Sequence, residues 1–141
     1  MTAKEYLQSI HNIQKRIDRL ENLRQSIRAD LYSIGSPAGH MDADKVQTSI
    51  SGDKMIKLVA KVDKIERDII SEIDRLTIIK GRMLRQIERV PNENYRQLLY
   101  DRYILCQRWE KIALDRDTGV RWIYRMHGKA LNAFEKVWDD H

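Results

Sequence analysis

The chain has 141 residues, 42% of them hydrophobic and 33% charged, with two prolines and six glycines; this balance excludes a disordered chain and suits one domain, or a small domain with an oligomerisation element. A net charge of +5 and a pI near 9.4 favour a polyanionic partner in a general way. No run of 18 apolar residues and no apolar segment behind a basic start occurs, so neither a membrane span nor a secretory signal is expected, and a cytoplasmic location follows.

From Tyr6, apolar residues recur at Ile10, Ile13, Ile17, Leu20, Ile27, Leu31 and Ile34, in steps of three and four except where Arg24 occupies the seam. That stripe predicts a long helix with a heptad-like apolar seam. Gly35-Ser36-Pro37-Ala38-Gly39 then forbids a continuous helix, and the polar run to Gly52 and Asp53 reads as a connector over about residues 35–52. Because structureless connectors of that length are uncommon, part of it, from Asp42 to Ser49, is a candidate short helix or partner-binding element.

A second stripe runs through Met55, Leu58, Val62, Ile65, Ile69, Ile73, Leu76, Ile79, Met83, Ile87 and Val90. The two stripes together predict an all-α chain whose first ninety residues form a long antiparallel helical hairpin, each arm about 45–55 Å long. Ile69, Ile70 and Ile78 add apolar surface off the seam, which predicts packing against either a second copy or the C-terminal region. The hairpin is the expected oligomerisation element, and a homodimer is favoured.

Pro91 and the Asn92-Glu93-Asn94 cluster close the second long helix, so residues 91–94 are the expected boundary of a C-terminal domain over 91–141. Within it, Trp109, Ile112 and Ala113 share one apolar face over about one turn, and Asp117, Thr118 and Gly119 are turn formers that end it. A further helix is expected from about Val120, with Ile123, Met126, Ala130, Phe134 and Val137 facing the core. Arg121, Arg125 and Lys129 recur at i, i+4 and i+8 on its other side, and Gly128 and Asn132 add little bulk between them. Arginine's planar fork can pair with guanine O6 and N7, whereas lysine and the Tyr124 hydroxyl are better suited to phosphate oxygens.

These features give residues 95–131 the spacing of a DNA-reading helix-turn-helix, and they resemble region 4 of sigma-70 factors, particularly its small phage-encoded relatives in Gram-positive bacteria. The resemblance covers about a third of the chain, through Leu98-Leu99, Arg102-Tyr103, Trp109-Glu110, Ile112-Ala113 and the run from Arg121 to Leu131. It implies that Val120, Arg121 and Arg125 face bases and that Tyr124 and Lys129 face phosphates. It also implies contact with RNA polymerase. Three positions depart from the family pattern: Cys106 stands where a turn former such as Gly is usual, Arg108 where Ser or Thr is usual, and Asp117 where the central turn has Gly. Each substitution gives up a favoured local geometry.

Residues 91–141 hold nine Lys or Arg against eight Asp or Glu, so DNA affinity has to come from placement of a few cations rather than from domain charge, and a single copy would bind weakly. No Gly-rich phosphate loop, nucleophile elbow or His/Cys ligand spacing is present, so neither catalysis nor a metal or other cofactor is expected. Cys106, in an apolar neighbourhood, reads as a buried, inert thiol; Trp109 reads as a core aromatic and His127 as a packing or backbone-bonding residue. Trp122 lies at the edge of the core face. The expectation is thus a phage-type regulator that reads promoter DNA. Two alternatives share the pattern: a DNA-packaging recognition protein like the terminase small subunits, and an adaptor whose helix-turn-helix surface binds RNA polymerase or another protein.

Overall fold

The computed structural model of the chain describes residues 1–35 and 45–138. All regular structure among them is helical: α1 (Ala3–Gly35), α2 (Lys45–Ile87), α3 (Glu93–Leu99), α4 (Trp109–Asp115) and α5 (Val120–Val137). No helix is long and apolar enough to cross a membrane among the described residues.

α1 starts on a reciprocal cap. The Thr2 amide donates to Glu5 Oε2 at 2.8 Å and the Glu5 amide to Thr2 Oγ1 at 3.1 Å, which satisfies two amides that a helix start leaves without intrahelical partners. α2 begins at Lys45, earlier than the expected start near Asp53, so the connector does not extend to residue 52. Gly52 is the only strong helix breaker between Lys45 and Ile87 besides Gly81, and one glycine costs only about 1 kcal/mol in a helix whose neighbours propagate it. Residues 36–44, with the first part of the candidate element at 42–49, lie outside the described residues; residues 45–49 belong to α2.

The chain divides into two compact units, Lys15–Asp74 and Met1–Gln14 with Arg75–His141. In the first, Ile27, Leu58, Ile65 and Ile69 form a buried cluster, flanked by Leu20, Leu31, Ile34 and Val62. Arg16 pairs with Glu72 at 3.0 Å and Arg28 with Glu66, so residues rising along α1 meet residues falling along α2 and the two run antiparallel here. Ile73 does not join the seam. It is exposed, and Glu72 takes its place in the three-four spacing, the largely enclosed partner of Arg16.

In the second unit the buried side chains come from every helix: Leu7 and Ile10 of α1, Met83 and Ile87 of α2, Leu98 and Leu99 of α3, Ile112 of α4, and Ile123, Ala130 and Phe134 of α5. Aromatic contacts bind the first turns of α1 to the rest. The Tyr6 ring stacks 6.4 Å from Phe134 and 5.6 Å from Trp138, while its hydroxyl donates to Gln86 Oε1. His11 Nε2 donates to the Arg102 carbonyl at 2.9 Å. The boundary between these two compact units passes through α1 and α2.

Candidate nucleic-acid interface

α3 is started by Asn92, whose Oδ1 accepts from the amides of Asn94 and Tyr95 at 2.9 and 3.2 Å. It continues into a wide π turn over Tyr100–Ile104, closed by bonds from the Leu105 amide to the Tyr100 carbonyl and from the Gln107 amide to the Asp101 carbonyl, both 3.0 Å. Closure requires the chain to reverse in the left-handed region, and Cys106 takes it at φ 56°. The thiol is half-buried, with Sγ 3.7 Å from the Tyr103 carbonyl.

Arg108 stands at the N-cap of α4, and its side chain caps nothing. The helix ends by the same device: the Thr118 amide bonds the Ala113 carbonyl at 3.0 Å and the Asp117 amide the Leu114 carbonyl at 3.1 Å, with Asp117 at φ 52°. This crossed pair satisfies carbonyls that the helix end leaves over, and it needs a left-handed residue at that position. Cys106 and Asp117 are the two described non-glycine residues with positive φ. They are also the two positions where the sigma region 4 pattern carries a turn former, and the third departure, Arg108, is a helix start without a side-chain cap.

α5 opens at Gly119 without a side-chain cap. Ile123, Met126, Ala130 and Phe134 are buried, and Val137 is partly so. The opposite face carries Arg121, Arg125, Gly128, Lys129 and Asn132, all exposed, with no acidic residue along α5 before Glu135. Val120 is partly buried.

The flanks of that face differ. On one side Tyr124, half-exposed, meets the edge of Trp109 at 5.7 Å. Trp109 is only partly buried and forms a polar junction: the Arg102 guanidinium lies 4.4 Å over its ring, and His127 packs edge-on at 4.5 Å. His127 is bonded to the Tyr103 hydroxyl rather than to backbone. Arg116, in the turn, pairs with Asp101 at 3.5 Å and so ties the α4–α5 turn to the π turn. On the other side, a hollow of about 320 Å³ is lined by Asn92, Asn94, Tyr95, Trp122, Arg125 and Lys129. Trp122 is half-exposed there, and no carboxylate lines the hollow. Arg125 and Lys129 thus share a site, while Arg121 stands outside it.

The sequence reading missed the hollow, because Asn92, Asn94 and Tyr95 come from α3 and carry no periodic signal linking them to α5. It also missed the Arg102–Trp109–His127–Tyr103 junction, whose members span the π turn and two helices.

No family model, curated protein or solved structure matches the chain.

Proposed function

We propose that the chain is a sequence-specific DNA-binding regulator of transcription, and that α4, its turn and α5 act as a helix-turn-helix with α5 as the reading helix. The observation that carries this is the outer face of α5. Arg121, Arg125 and Lys129 stand exposed one turn apart around Gly128, where even an added Cβ would meet nothing within 4 Å. Such a face is basic, slim and free of carboxylates, as close approach to a DNA groove requires.

In this reading Val120, Arg121 and Arg125 approach base edges from the first two turns of α5. Tyr124 and Lys129 sit on opposite flanks and take phosphates of the two groove walls. The hollow beside Trp122 suits a sugar-phosphate segment, with an aromatic ring for the sugar and Arg125 and Lys129 for the phosphate. The left-handed turns at Cys106 and Asp117 support the likeness to sigma region 4. That likeness carries contact with RNA polymerase and a phage or prophage setting.

The test is duplex binding with a selected site and with random sequence. Arg121→Ala or Arg125→Ala should cost about 1–3 kcal/mol at the selected site and relax base preference, whereas Lys129→Ala should weaken all duplexes alike and reduce the salt slope by about one. Unchanged binding by a folded Arg121→Ala/Arg125→Ala variant would overturn the reading.

A second reading, a protein-binding adaptor, is favoured by Leu114, which stands 79% exposed on α4. A salt-independent interaction with polymerase, abolished by Leu114→Ser and accompanied by no duplex binding, would select it.

A further inference from the structure

The hollow of about 320 Å³ between α3 and α5 falls at the lower end of the range for small-molecule sites. Its α5 side is a single edge of that helix: Trp122, Arg125, Met126 and Lys129 stand at i, i+3, i+4 and i+7, over about 10 Å of axis. Met126 is buried at the base of this edge, and its sulfur accepts from the Arg116 guanidinium at 3.7 Å. The facing side is made by Asn92, Asn94 and Tyr95, and it is fixed without a ligand. Asn92 Oδ1 is committed to the amides of Asn94 and Tyr95, and the Arg96 guanidinium donates to the Val90 and Pro91 carbonyls at 2.8 and 3.3 Å.

The polar groups around the hollow are free. Among the described residues, the Asn94 carboxamide, the Tyr95 hydroxyl, the Trp122 indole N–H, the Arg125 guanidinium and the Lys129 ammonium have no hydrogen-bond or ion-pair partner. Neither the Tyr95 nor the Trp122 ring meets another ring. Two unpaired cations with no carboxylate beside them call for an anion, and two open rings call for a flat partner. A carboxamide offers a donor and an acceptor side by side, as the N6 and N7 edge of adenine requires. A nucleotide carries all three features. Within a duplex its base is paired and stacked, so only sugar and phosphate can reach the hollow, whereas outside a duplex the base is free to lie on Trp122.

We infer that the hollow binds one unpaired nucleotide, with its base on Trp122 beside Tyr95, Asn94 at the base edge, and its phosphate on Arg125 and Lys129. The inference rests on the nucleic-acid reading where it gives Arg125 and Lys129 a second use: a nucleotide in the hollow occupies two groups that duplex needs, so the two ligands exclude one another. The nucleotide is either free or part of a single strand, and the chemistry that recognises it is the same.

The test is calorimetric titration of the full chain, at constant salt, with deoxyadenosine 5′-monophosphate, deoxyadenosine, inorganic phosphate and tetradeoxyadenylate. The monophosphate should bind with a Kd on the order of 10–100 µM and about tenfold or more tighter than deoxyadenosine or phosphate. Trp122→Ala should weaken it about tenfold, and Trp122→Phe, which keeps a ring, by no more than about threefold. Tetradeoxyadenylate that gains less than about tenfold over the monophosphate marks the free nucleotide as the ligand, and a larger gain marks the strand. Phosphate or deoxyadenosine binding as tightly as the monophosphate, indifference to Trp122→Ala, or no binding of either nucleotide would each overturn the inference. So would selected duplex that saturating monophosphate fails to displace. Arg121 stands outside the hollow, so Arg121→Ala should take the monophosphate as the parent does while losing affinity for the selected duplex. Nucleotide binding without duplex binding therefore rejects the duplex reading alone, and duplex binding without nucleotide binding rejects the hollow alone.

Discussion

The Tyr103 hydroxyl and His127 Nε2 lie 2.7 Å apart, and this one bond joins the π turn after α3 to the middle of α5. Neither group ionises at its ordinary pH. Burial, followed by the nearby charges of Lys4 and Arg102, lowers His127 to about 4. Burial raises Tyr103 to about 12 against the opposing effect of Arg102. The pair is therefore held neutral, between the π turn and α5.

A pH dependence follows from both shifts. Below about pH 6.5 the unfolded chain takes up a proton at His127 before the folded chain does, so stability falls as pH drops toward about 4. Above about pH 10 the unfolded chain loses the Tyr103 proton first, so stability falls again toward about 12. Melting temperature measured against pH should show His127→Gln catching up with the parent on the acid side and Tyr103→Phe on the alkaline side. Parallel curves across both windows would contradict the assignment.

Cys106 and Asp117 hold left-handed backbone that costs an L-residue roughly 1–2 kcal/mol relative to glycine, less for Asp. Part of that is returned because glycine also loosens the unfolded chain. Cys106→Gly should raise stability by about 1 kcal/mol and Asp117→Gly by about half as much, read from urea midpoints at unchanged slope. Alanine at either position should give no gain.

Arg108 starts α4 without a side-chain cap. Arg108→Ser or Arg108→Asp supplies an oxygen for the free amides of the first turn and should add about 1 kcal/mol. A loss of duplex binding in the same variants, without loss of folding, would show that the guanidinium also serves the interface.

Gly128 separates folding from contact. Its helix position disfavours glycine by about 1 kcal/mol relative to alanine, and an added Cβ meets nothing within 4 Å. Gly128→Ala should therefore melt higher and bind duplex more weakly, because the methyl group stands where α5 would approach the groove. A variant that is more stable and binds as well as the parent would place Gly128 outside the contact.

Much of the helical layout follows from spacing alone. The buried face of α5, from Ile123 to Phe134, and Ile112 with Ala113 on α4 lie where a period of 3.6 residues puts them. Ile73 does not, because spacing could not distinguish it from Glu72, and an ion pair to Arg16 gave the seam position to the carboxylate. The π turn was illegible for a related reason: Tyr100–Ile104 has ordinary helix formers, and only tertiary contacts of Tyr103 and Ile104 select the wider winding. The Thr2–Glu5 cap was not among the expected features, although Thr-x-x-Glu is its sequence form. On the outer face of α5, the exposure of Arg121, Arg125 and Lys129 could be read from the sequence, but the hollow that joins Arg125 and Lys129 to α3 could not.

The stacking of Tyr6 on Phe134 has a consequence for the order in which the chain can fold during synthesis. Residues 15–74 have all their cluster partners once Asp74 has been made, so that unit can close early. Leu7 and Ile10 belong to the other unit, which also draws on residues from Arg75 onward and so is completed later. The start of α1 therefore waits for its aromatic partners Phe134 and Trp138 until those residues have been made.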